Sequence, residues 1–171
     1  SFREIGPTAQ GGRFVDYAVV EATPRIFYAA TASGGLWKTE NNGVSFRSIF
    51  DNQPVISIGA VAVSQSNPQI VYVGTGEANN SRSSYWGNGV YRSDNGGESW
   101  TLMGLEKTAR IARIVIHPSD PDVVLACALG HAYGPQQERG VFRTTDGGAT
   151  WTKVLFVDEN TGCSDLAMDP N

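Results

Sequence analysis

The sequence has no basic cluster, no long apolar run and very little histidine. Its 171 residues carry 13 Lys and Arg against 17 Asp and Glu, a net charge of −4, with the basic residues dispersed. A nucleic-acid partner needs a Lys/Arg footprint that displaces phosphate counterions, so none is expected. No stretch approaches the roughly 18 consecutive apolar residues of a membrane-spanning helix, and no membrane partner is expected either. His117 and His131 stand apart in the chain, and Cys127 and Cys163 do not have metal-ligand spacing. Neither a metal nor a cofactor is expected. No Ser/His/Asp order and no phosphate-binding loop is present. Both cysteines fall in apolar, strand-like runs. Free cysteine packs as a small hydrophobe, so they read as two buried thiols, with a disulfide as the alternative. No segment sustains a 3.6-residue period, so helix content should be close to zero.

What the chain does have is glycine, 20 residues of it, and a repeat. Residues 35–46 (GLWKTENNGVSF), 89–100 (GVYRSDNGGESW) and 140–151 (GVFRTTDGGATW) share one pattern, with starts 54 and 51 residues apart. The pattern is Gly, apolar, aromatic, basic, Ser/Thr, any, Asp/Asn, any, Gly, any, Ser/Thr, aromatic. A fixed period of this size means an array of similar units.

Upstream of each box lie two β-rich runs separated by a proline turn: 16–20 then 26–30, 58–63 then 70–74, and 111–116 then 123–127. Downstream lies a fourth run, at 46–50, 100–103 and 151–155. Short β-rich runs bounded by Pro, Gly, Asn and Asp are strands. Four antiparallel strands in about fifty residues make a β-propeller blade. The fold is therefore expected to be all-β, with blades at residues 14–50, 55–104 and 109–157. Residues 1–6 match the fourth strand and should be the outer strand of a neighbouring blade. Residues 163–171 match the first strand and should start the next one. Three blades cannot close a ring. The remaining blades should come from the same parent chain or from other copies.

The boxes resemble the Asp-box, or bacterial neuraminidase repeat, Ser/Thr-x-Asp-x-Gly-x-Thr-Trp. Residues 144–151 match it at every specified position; the other two copies carry Asn41 and Asn95 in place of Asp, and the first ends in Phe46. Residues 74–77 (GTGE), 86–89 (WGNG) and 139–146 (RGVFRTTD) are similar to large secreted bacterial proteins with sortilin-like or glycosyl-hydrolase-like propellers. That resemblance implies a secreted or periplasmic location. A sialidase would also carry an Arg-Ile-Pro motif and an arginine triad. Arg25-Ile26 is followed by Phe27, and only Arg13, Arg82, Arg110 and Arg139 are triad candidates.

The box residues read as scaffold: a short carboxylate or amide accepts hydrogen bonds from its own turn. Function is expected on the opposite face, where the loops between second and third strands lie. Blade one makes this connection with a tight turn, whereas blades two and three use residues 76–88 and 130–139. Long loops on a rigid rim are disproportionately functional. Glu77, Asn79, Arg82, Tyr85, Trp86, His131, Tyr133, Glu138 and Arg139 are the candidate ligand contacts. Aromatic rings beside planar polar groups suit a sugar or a peptide. The expected function is a glycan- or protein-binding module rather than an enzyme, with no catalytic residue assigned. The alternative is a xyloglucanase-like or sialidase-like glycoside hydrolase whose site is completed outside this segment.

Overall fold

A computed structural model of the chain describes residues 13–80 and 84–169. The expected outer strand at 1–6 lies outside the described residues. Three separate four-stranded antiparallel sheets follow one another in sequence. The first holds β1 (Phe14–Val19), β2 (Phe27–Thr31), β3 (Leu36–Thr39) and β4 (Arg47–Ser48). The second holds β5 (Ile58–Val63), β6 (Val71–Thr75), β7 (Val90–Ser93) and β8 (Thr101–Leu102). The third holds β9 (Ile111–Ile116), β10 (Val124–Ala128), β11 (Gly140–Thr144) and β12 (Thr152–Leu155). The only helix among the described residues is a single 3-10 turn, Glu106–Thr108. This is an all-β propeller arrangement of successive meander blades, as the repeat implies.

Strand order equals sequence order in each sheet, so each blade forms locally. The inner strands β1, β5 and β9 lie side by side. The middle blade is covered on both faces. Its Ile58, Val61, Val71 and Val73 pack with Tyr28, Leu36 and Phe50 of the first blade. Its Ala60, Tyr72 and Val90 pack with Ile111, Val124 and Phe142 of the third. Successive side chains of a strand point to opposite faces. That explains why residues 58–63 and 70–74 are almost uninterruptedly apolar.

The fourth strands are shorter than their sequence suggests; β4 and β8 have two residues each. They are the outer edges of their sheets, each paired on one side only among the described residues. Residues 163–169, expected as an inner strand, form none.

The box turns are closed by side chains. Asp146 Oδ1 accepts the Thr144 hydroxyl at 2.7 Å and the Thr150 N–H at 2.9 Å, and Oδ2 accepts the Thr150 hydroxyl at 2.6 Å. Asn41 and Asn95 each use the amide oxygen in the same way and donate from Nδ2 to Ser45 and Ser99 at 2.9 and 2.8 Å. One oxygen acceptor therefore suffices, and the amide replaces the second acceptor by a donor. Gly148 sits at φ +97°, and a Cβ there would come within 2.9 Å of Met103 Cβ, so only glycine fits both the backbone and the space.

Hydrogen bonds to Asp146, first from the Thr150 hydroxyl, then the Thr150 N–H and the Thr144 hydroxyl, hold its carboxyl at about 2, below the ordinary 3.8. A carboxyl depressed by folding stabilises the fold above its unfolded pKa and loses that contribution as pH falls through its folded one. The third box is therefore expected to loosen between about pH 4 and pH 2, whereas the asparagine boxes do not titrate. Acid unfolding of Asp146→Asn, followed by circular dichroism, should be less steep in that window than wild type. Superimposable acid profiles would contradict this account of the turn.

The half-buried box tryptophans have a second role that sequence reading missed. Trp100 Nε1 donates to Ile49 O and Trp151 Nε1 to Met103 O, each at 2.7 Å. Each acceptor lies at the end of the preceding blade, so the box ring latches one blade to the one before it. Phe46, at the matching position of the first box, has no N–H to donate and packs edge-on against Phe27 instead, with centroids 5.7 Å apart.

Cys127 and Cys163 are joined in a disulfide, with Cα atoms 5.1 Å apart, which corrects the expectation of two free thiols. Cys127 is fully buried in β10, and the link after β12 returns across that strand, where Cys163 N–H donates to Ala128 O at 3.1 Å. The 36-residue separation concealed this return. The bond fastens the segment leaving the third blade to that blade's interior.

Candidate functional site

The two long loops meet. Trp86, from the loop between β6 and β7, stacks on His131, from the loop between β10 and β11, with centroids 4.5 Å apart and planes 17° from parallel. Trp86 remains 60% exposed, so the indole face away from His131 is open. Tyr85, next to Trp86 in sequence, is 53% exposed, and Tyr133, two residues beyond His131, is 86% exposed. Large bare aromatic rings on one face are what a sugar ring or an apolar side chain stacks on.

The polar candidates divide into surface and support. Asn79 is exposed and His131 and Glu138 are half-buried. Glu77 is not a rim group: it is fully buried, and Arg13 Nε and Nη2 reach its Oε1 at 3.1 and 2.5 Å. Arg139 is also buried; it donates to His131 O at 3.1 Å, Gly134 O at 2.9 Å and Asn160 O at 3.2 Å, and so shapes its own loop. The structure turns both inward, Glu77 by Arg13, 64 positions away, and Arg139 by carbonyls of its own loop and of the link after β12, which makes them supports of the loops. Arg82 lies outside the described residues.

Two supports, Gln136 and Arg110, were not among the expected ligand contacts, although Gln136 lies in the second long loop and Arg110 was one of the arginine-triad candidates. Gln136 is buried, accepting His131 N–H at 2.6 Å and donating to Lys107 O at 2.5 Å. Arg110, in the link before β9, is 4% exposed and donates from Nε to Gly130 O at 2.7 Å. Its position at a link end was a further sequence signal. Burial, then the neighbouring Arg139, push the Arg110 guanidinium below its usual pKa. The backbone around it is tightly wound. Ala109 holds φ +61°, and its carbonyl accepts Gly87 N–H at 2.7 Å. At Gly76, φ is +87° and a Cβ would lie 2.1 Å from Ala109 O. Such strained, close-packed backbone persists where its surroundings over-determine it, so these loops leave the blades in one defined direction.

The carboxylates on this face do not form an obvious pair. Glu77 is engaged by Arg13, and exposed Asp158 Oδ1 is occupied by the Asn160 and Thr161 N–H groups, both at 2.8 Å. Asp51 accepts the Ser48 hydroxyl. Among the described residues no group of three or more His, Cys, Asp or Glu is placed to hold a metal. A groove of about 420 Å³ lies along the inner strands, lined by Asp16, Glu21, Gln65, Arg113 and His117 among others. There Arg113 of the third blade lies 3.6 Å from Asp16 of the first and 3.8 Å from Asp165 of the segment after the third.

Comparison with known proteins follows the fold. A xyloglucanase of a Paenibacillus species is 27% identical over 177 aligned positions, covering 95% of this chain and 16% of that protein. An oligoxyloglucan-reducing end-specific xyloglucanase of Emericella nidulans is 26% identical over 172, covering 96% of this chain and 19% of that protein. The chain thus spans less than a fifth of the length of either. The crystal structure of an ancestral GH74 enzyme shares the fold, with a TM-score of 0.71 and 24% identity over 91% of this chain and 20% of that one. The family described as sortilin, neurotensin receptor 3 (Sortilin-Vps10) matches residues 34–165. With well over half of its length inside that match, the chain belongs to the Sortilin-Vps10 family of β-propellers.

Proposed function

We propose that the looped face of this propeller binds a glycan, as part of a larger secreted protein of the glycoside-hydrolase type. The observation that carries this reading is the Trp86–His131 stack: two insertions from different blades, absent from the first blade, join to present one open indole face. A sugar ring is flat and apolar on its axial C–H face and matches such a platform. The xyloglucanase relatives, which cover nearly the whole chain, favour a polysaccharide over a peptide. Disulfides persist in oxidising compartments, so the Cys127–Cys163 bond supports a secreted or periplasmic location.

Trp86→Ala is expected to weaken binding of cello- or xyloglucan-derived oligosaccharides at least tenfold, in keeping with an aromatic anchor of about 2 kcal/mol, without lowering the thermal midpoint. Calorimetric titration of the protein expressed from its complete gene checks this. Unchanged affinity in Trp86→Ala would remove the platform from the binding site.

A second reading, hydrolysis by the parent protein, is favoured by the same relatives, whose names are those of enzymes. The expectation of a non-enzyme finds no support in them. Glu138 is the rim carboxylate to examine, being half-buried on the looped face and outside the salt bridges of the described residues. Glu138→Gln should abolish turnover if this group is the acid or base, and should leave turnover intact if the chain only binds.

A further inference from the structure

Four ionisable side chains gather around the bases of the two long loops, and three of them are cationic: Arg13 on Glu77, Arg110 on the Gly130 carbonyl and Arg139 on the His131 carbonyl. Arg13 is ion-paired with Glu77, the one fully buried carboxylate among the described residues, and Arg110 passes close by: a Cβ on the preceding Gly76 would come within 2.9 Å of Arg110 Cα. Arg110 and Arg139 meet at Gly130. Arg110 Nε donates to its carbonyl at 2.7 Å, and a Cβ on Gly130 would lie 2.6 Å from Arg139 Cγ. Arg110 and Arg139 are 4% and 8% exposed, yet neither has a carboxylate within ion-pair distance among the described residues.

The hydrogen bonds are as incomplete as the charges. Arg110 uses only Nε, so its two terminal nitrogens have no partner among the described residues. Arg139 Nε is buried with no acceptor, and Glu77 Oε2 is buried with no donor. Exposed Asp158 is close enough to feel Arg139, but its carboxylate is spent on its own turn. A buried charge without a counter-charge is costly. In a chain of net charge −4, such a cationic cluster against the loops that carry an exposed aromatic ring is out of keeping with the rest of the surface.

We infer that this cluster is an anion subsite, and that the glycan held on Trp86 carries a carboxylate that sits against the Arg110 guanidinium: the ligand is an acidic, uronate-bearing polysaccharide. The fork of a guanidinium takes a carboxylate through two parallel N–H···O bonds, and the two free terminal nitrogens of Arg110 are the donors it needs. Arg139 shapes the loop around the ligand and adds to the positive potential. Glu77 holds Arg13 and keeps the cluster from being more cationic still. The inference rests on the glycan reading above and narrows its substrate class.

The test uses two probes of equal length that differ only in charge, cellotetraose and its C6-oxidised form, a β-1,4-linked tetraglucuronate. Each is titrated calorimetrically into the protein expressed from its complete gene, at one low ionic strength. The tetraglucuronate should bind at least tenfold more tightly. In Arg110→Gln the two affinities should come within about twofold of each other, because the fork is gone. Should Arg110→Gln not fold, Arg110→Lys carries the test: it keeps a charge but not the fork, and the preference should fall severalfold. Equal or tighter binding of cellotetraose by the wild-type protein overturns this inference and leaves the glycan reading standing. A preference for tetraglucuronate that survives unchanged in the Arg110 variant that folds also overturns it. Binding of neither sugar overturns this inference, and failure of a xyloglucan-derived oligosaccharide to bind as well overturns the glycan reading.

Discussion

Trp151→Ala should destabilise the propeller by about 3 kcal/mol, the low end of the cost of removing a large ring from a core, because the ring is half-buried. Two losses combine. The ring is packed against the core between the second and third blades, and its N–H satisfies Met103 O across that boundary. For a domain of this size the thermal midpoint should fall by on the order of 10 °C. Trp151→Phe separates the two losses, because it keeps most of the ring and removes only the hydrogen bond, worth about 1 kcal/mol net. Scanning calorimetry of both variants checks this. Equal, small shifts for Ala and Phe would mean that the ring adds nothing to the joint between blades. Affinity for oligosaccharide per folded molecule should be unchanged in both, since the boxes lie on the face away from the long loops.

Opening the disulfide should be the next largest effect. Cys163→Ser, or reduction followed by thiol blocking, releases a loop closed over a 36-residue separation. The loss of unfolded-state restriction corresponds to roughly 2–4 kcal/mol. It should be confined to one region: amide exchange should quicken at residues 156–169, while β1 to β8 keep their protection. An unchanged melting profile under complete reduction would show that the segment is held by other contacts.

The parts of this structure legible in the sequence were those set by local chemistry. The boxes combine Gly43, Gly97 and Gly148 with an Asp or Asn two residues earlier, and turn chemistry of that kind acts within five or six residues. The apolar runs at 58–63 and 70–74 likewise announced strands. What escaped depends on distant partners. Nothing near Glu77 in sequence says that Arg13, 64 positions away, will draw it inward. Nothing in a box says that its tryptophan donates to the blade before, although the replacement of Trp by Phe46 in the first box was the available hint. The meeting of Cys127 with Cys163 depends on a link folding back over β10. The stack of Trp86 on His131 required two loops of different blades to lean together, which the excess length of each loop suggested and only the fold established.

The central claim is that the looped face binds the ligand and the box face only holds the blades together. Oxidative footprinting of the protein expressed from its complete gene, with and without saturating tetraglucuronate or cellotetraose, tests it most directly. Trp86, Tyr85 and Tyr133 are all more than half exposed on the looped face; Val44, 85% exposed, and Phe46, 42% exposed, mark the box face. The account predicts ligand protection at Trp86 and Tyr133 and none at Val44 or Phe46. Protection of the box residues, with the loop aromatics oxidised as fast as in the free protein, would contradict it.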